Sequence, residues 1–82
     1  MDRTKIYEQV TISIRGFLDE DIDITMESEL QKLISDSLMF VEFVLNIEEA
    51  FEIDIPDEDV EKFMTVQDCV NYVEKKLEEC GR

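Results

Sequence analysis

An all-α fold is what this sequence predicts: a small four-helix bundle of three longer helices plus one short helix, with a long first loop. Three observations predict it. Apolar residues recur at helical spacing in three separate segments. Capping residues stand where two of those segments begin. No repeat, low-complexity tract or linker divides the 82 residues, so a single domain spanning 1–82 is expected.

Residues 4–18 read as the first helix, with Ile6, Val10, Ile14, Phe17 and Leu18 on its core face. Val10, Ile12 and Ile14 also alternate as a strand would, but the length of the segment and the lack of a partner strand favour helix. Residues 19–35 form a long connection, from which Ile22, Ile24, Leu30 and Leu33 are expected to reach the core. Connections of this length without regular structure are often functional.

The second helix runs from Ser37 to Phe51, with Asp36 as its N-cap. Phe40, Phe43, Val44, Ile47 and Phe51 share its core face. Leu38, Met39, Val41 and Leu45 carry apolar surface well beyond one stripe, so some of them must be exposed or meet a partner. Ile53 and Ile55 point together around an acidic turn, and Pro56 leads into a short third helix. Thr65-Val66-Gln67-Asp68 resembles a capping box with Asp in place of the usual Glu. Val66, Cys69, Val70, Val73 and Leu77 make the core stripe of the last helix. Lys75 and Lys76 suit its C-terminal end, and Gly81 can close it.

The charge excludes several functions. With 22 acidic against 8 basic residues the net charge is -14. Such a chain repels nucleic acid and anionic lipid and steers toward basic partners. Ten of the acids lie between Lys32 and Lys62 with no base among them. A face of one sign over that length is a candidate docking surface. No apolar run is long enough to span a bilayer, and the opening residues do not look like a signal peptide. A cytoplasmic protein is expected.

Catalytic chemistry finds little to work with. There is no His, hence no common general base or neutral metal ligand. Cys69 and Cys80 are eleven residues apart. On one helix that is about 16 Å, beyond the roughly 7 Å that a disulfide spans. Cys69 reads as a core residue and Cys80 as an exposed one. Asp19, Asp21 and Asp23 open like a calcium loop, but Ile24 and Leu30 stand where Gly and Glu are needed. Glu48-Glu49 reads as a solvated helix face. No dedicated metal site and no enzyme is expected.

Ser37 has two readings on the residues alone. It is an ordinary residue of a capped helix start, or it carries an anion where free N–H groups and the helix dipole favour one. Its surroundings bear on the choice. Asp36-Ser37-Leu38, Val41-Glu42, Glu48-Glu49, Phe51, Ile55-Pro56-Asp57-Glu58, Glu61-Lys62 and Thr65-Val66-Gln67-Asp68 follow one another in a register that resembles the acyl carrier protein family. Leu30 and Leu33 match the leucines upstream of the motif.

That resemblance implies a four-helix bundle that is a carrier and not itself a catalyst. It implies 4′-phosphopantetheine joined to Ser37 by a phosphopantetheinyl transferase, with acyl or related groups held on its thiol as thioesters. It makes Asp36 a contact to the transferase and its metal ion. Leu38, Met39, Glu42, Leu45, Glu48 and Glu49 become docking positions for enzymes with basic patches: an acyl-loading ligase or acyltransferase, a ketosynthase or other acyl-processing enzymes. A monomer is expected. Fatty acid, polyketide or other specialised lipid and secondary metabolism would be the setting.

The chain departs from the family at four positions. Ile34 stands where Gly is usual, Lys32 where an acid is common, and Met39 and Phe40 where an acid and a small polar residue are usual. Either Met39 and Phe40 form an apolar patch that marks a specialised carrier, or Phe40 packs inward and only Met39 is unusual. Two alternatives to an acyl cargo stay open: an aminoacyl or hydroxyacyl group loaded by an adenylating ligase, and an unmodified acidic docking module.

Overall fold

The computed structural model describes residues 2–18 and 22–79. Asp19, Asp21, Cys80 and Gly81, each given a role above, lie outside them. Five helices follow one another: α1 (Arg3–Arg15), α2 (Leu30–Leu33), α3 (Ser37–Phe51), α4 (Asp57–Val60) and α5 (Val66–Glu79). The described residues form an all-α fold of three longer helices and two short ones. α1 packs on both α3 and α5.

Asp2 starts α1, accepting from the Thr4 N–H at 3.0 Å. Ile6, Val10 and Ile14 are fully buried and Ile12 is exposed, so the helical period wins over the alternating one. The helix stops three residues short of Leu18, because Gly16 caps it. Phe17 and Leu18 continue as a tight turn, donating to the carbonyls of Ile14 and Arg15, and pack half-buried against the core. Arg3 ties α1 to α5 through Glu74 at 3.0 Å and Asn71 at 2.8 Å.

The long connection is better ordered than its sequence suggests. The Tyr7 hydroxyl donates to the Ile24 carbonyl at 2.6 Å, and Ile24 is buried. Ile22, expected in the core, is instead 38% exposed. α2 is a correction to a connection read as free of regular structure. Local bonds close its turn (Leu33 N–H to Glu29 C=O at 3.2 Å, Ile34 N–H to Leu30 C=O at 2.7 Å), and long-range ones dock it: Leu30 N–H donates to Met64 C=O at 2.9 Å, and Val66 N–H to Ser28 C=O at 3.0 Å. Glu29 and Thr65 pair as an antiparallel bridge between the same segments.

α3 has the predicted bounds. Phe43, Val44, Ile47 and Phe51 are buried on its inner side. It ends at Glu52, a non-glycine residue at φ 55° and ψ 48°. A side chain there carries a steric penalty that glycine avoids, and a carboxylate opposes the helix dipole. Glu52→Gly is therefore expected to stabilise the fold by about 0.5–1 kcal/mol, raising the melting temperature by a few degrees. A thermal melt that does not rise would show that the left-handed turn is unstrained.

Thr65 and Asp68 form the reciprocal capping box. The Thr65 hydroxyl accepts from the Asp68 N–H at 3.2 Å, and the Asp68 carboxylate accepts from the Thr65 N–H at 3.1 Å. Val66, Cys69, Val70 and Val73 of α5 are fully buried. Burial, with the Asp68 charge beside it, pushes the Cys69 thiol up to about 12.

Candidate functional site

Asp36 settles what caps α3. Its Oδ1 accepts from the Leu38 N–H at 2.8 Å and the Met39 N–H at 3.3 Å. That leaves the Ser37 hydroxyl without a capping task. Among the described residues nothing bonds it, and Ser37 is exposed. It stands at the amino end of a fifteen-residue helix. Asp36 already takes the Leu38 and Met39 N–H groups, so it is the helix dipole there that favours a phosphate-like charge. An exposed, unbonded hydroxyl in that position fits a covalently attached phosphodiester.

Beside Ser37 lies an open cleft of about 640 Å³. Ile34, Phe40, Val41, Val60 and Phe63 supply its apolar wall. Ile34 and Phe63 are buried. Phe40 is half-buried, its ring edge-on to Phe43 at 5.9 Å. Of the two readings of Met39 and Phe40, the packing favours the second: Phe40 turns toward the cleft, and Met39 stays 45% exposed.

The docking positions divide between outer surface and interior. Leu38 is 77% and Leu45 50% exposed, and Glu42 and Glu49 are exposed. Glu42, Leu45 and Glu49 meet Phe17 along a second groove of about 400 Å³. Glu48 is different. It is half-buried, and its carboxylate accepts from the Ile55 N–H at 2.9 Å, holding the turn that leads to α4.

Sequence reasoning missed a polar knot behind the cleft. The Tyr72 hydroxyl of α5 donates to Asp59 of α4 at 2.7 Å. Lys62 reaches the other Asp59 oxygen at 3.4 Å, and Lys76 lies over the Tyr72 ring at 5.6 Å. The Tyr72 bond, then Lys62 and Lys76, hold the Asp59 carboxyl below its usual range. Burial first, then Asp59, raises the Tyr72 phenol. The available signal was a tyrosine bordering the buried stripe of α5, since a half-buried phenol needs a partner.

The stretch between Lys32 and Lys62 carries ten acids and no Lys or Arg of its own. Crowded carboxylates repel, and mobile ions screen them. Added salt, and magnesium more so, is expected to raise the melting temperature. A value indifferent to magnesium would mean that this repulsion is negligible. No helix among the described residues is long and apolar enough to cross a membrane.

A family model described as a phosphopantetheine attachment site matches residues 8–73. The chain is 40% identical over 72 residues to the acyl carrier protein of Desulforapulum autotrophicum, covering 88% of this chain and 92% of that one. It is 47% identical over 58 residues to the acyl carrier protein of Campylobacter lari, covering 70% of this chain and 74% of that one.

Proposed function

Since the chain belongs to the acyl carrier protein family, and is a carrier bearing phosphopantetheine and not a catalyst, we propose that Ser37 is the residue to which that group is attached. The observation that carries this reading is the exposed Ser37 hydroxyl at the amino end of α3, which makes no bond among the described residues. Once bound, the group supplies a flexible arm whose terminal thiol holds acyl groups as thioesters.

The chain's own residues do the rest. Asp36 fixes the first turn, so that Ser37 is presented outward in one place. It also offers its second carboxylate oxygen to the transferase and the metal ion that enzyme carries. Leu38, Met39 and Leu45 give incoming enzymes an apolar contact, and Glu42 and Glu49 flank it with charge. Such a surface suits partners with basic rims around an apolar centre: a phosphopantetheinyl transferase, a loading ligase or acyltransferase, and ketosynthases or other acyl-processing enzymes. Glu48 serves the fold more than docking, because its carboxylate is already bonded to Ile55. The carrier acts as a cytoplasmic monomer, away from nucleic acid.

Intact mass tests the attachment. The chain is incubated with coenzyme A, magnesium and a broad-specificity phosphopantetheinyl transferase. A gain of one phosphopantetheine is expected, with the modified peptide containing Ser37. A folded chain that gains nothing would overturn the assignment.

A further inference from the structure

One wall of the cleft beside Ser37 is short and lightly anchored: Val60 packs half-buried against the core, and buried Phe63 follows it. α4 is a four-residue helix with no buried residue and no side-chain cap. Its backbone bonds are local: Asp59 and Val60 N–H both donate to Pro56 C=O. So short a helix is not stable by itself. Yet Val60 and Glu61 line the cleft, as does Phe63 just beyond them.

The Glu48 carboxylate holds the turn before α4 and buried Phe63 anchors the chain after it; Tyr72 ties the helix between them to α5. Its hydroxyl bonds Asp59 at 2.7 Å, and its ring meets Phe63 edge-on at 5.2 Å. Lys76 sits over the ring, and Lys62 holds the second Asp59 oxygen. Phenol and ring thus grip the segment on both sides of Val60, the side chain that faces the cleft between them.

We propose that Tyr72 is a positioning residue: through Asp59 and Phe63 it clamps α4 against α5 and thereby sets how closely the cleft covers a group carried on Ser37. This rests on the reading that Ser37 bears the arm. With the clamp closed, the apolar wall of Ile34, Phe40, Val60 and Phe63 shelters the part of the cargo nearest the chain. With it open, Val60 swings away and water reaches the same place. Tyr72 touches no cargo; it acts through the wall.

The test uses the full chain loaded with a hexanoyl thioester and compares Tyr72→Phe, Asp59→Ala and Asp59→Asn. Two readouts are taken: amide hydrogen exchange at Val60 and Phe63, and the rate of thioester cleavage by hydroxylamine. Losing one such bond should speed both by about three- to tenfold in Tyr72→Phe and Asp59→Ala. Exchange in the middle of α1 and α3 should not change. Asp59→Asn keeps an acceptor for the phenol and should restore near-wild-type values, which a merely structural role would not require. Unchanged exchange at α4 would overturn the clamp. Faster exchange with unchanged cleavage would overturn its role in covering cargo. Failure of Ser37 to take the arm would instead defeat the functional reading, and the exchange data on the unloaded chain would still decide the clamp.

Discussion

Ser37→Ala is expected to gain no mass from coenzyme A and the transferase, and to hold no acyl group afterwards. The effect on carrier function is complete, because no other atom of that side chain can form the phosphodiester. The fold should not register the change. The Ser37 hydroxyl makes no hydrogen bond among the described residues, and Asp36 supplies the cap. An exposed substitution of this kind stays within about 0.5 kcal/mol. The pair of results separates attachment from folding: a normal melt with zero mass gain. Ser35, also exposed and two residues away, is the internal control. Ser35→Ala should load like the wild type. A modified Ser37→Ala chain would move the site elsewhere, with Ser35 the first place to look.

Phe43→Ala should have the largest effect on stability. Phe43 is 0% exposed and is the largest of the fully buried side chains. Removing a buried phenyl ring typically destabilises by about 3–5 kcal/mol through lost transfer energy and the cavity left behind. A domain of this size has only about 5–15 kcal/mol in total. The melting temperature should therefore fall by well over 10 °C, at about 4–8 °C per kcal/mol for so small a domain. Part of the chain should be unfolded near body temperature. Leu38→Ala, on the same helix but exposed, should leave the melt almost where it was. Circular dichroism melts of the two variants decide the matter. Equal shifts would mean that α3 is not anchored through Phe43. The loss should also reach the cleft, since the Phe40 ring leans edge-on against Phe43.

What could be read from the sequence had local causes. The start of α3 is written into a neighbouring residue, since Asp36 caps it. The Thr65 and Asp68 box is likewise complete within four residues. What escaped has distant causes. α2 closes its turn on the Glu29 and Leu30 carbonyls, but its segment is docked by bonds with residues 64–67, far away in the chain. No pattern within 30–33 announces it. The cleft draws Ile34, Phe40, Val60 and Phe63 from three segments that only folding brings together. The Asp36-Ser37-Leu38 motif stands out in the sequence because it is contiguous. The clamp does not, because Tyr72 and Asp59 are thirteen residues apart on different helices. Glu48 lies between these cases: its position on α3 was plain, but not that it would bond the Ile55 N–H.

Cys69 has a consequence for the cargo. Thioesters pass from one sulfur to another whenever a thiolate can reach them. Cys69 is fully buried and its proton is held up to about 12. Near neutral pH it is protonated and walled in by the core, so it can neither take an acyl group nor form a mixed disulfide with the arm. The fold makes its inner sulfur a chemical bystander, and freight bound at the surface cannot leak inward to it.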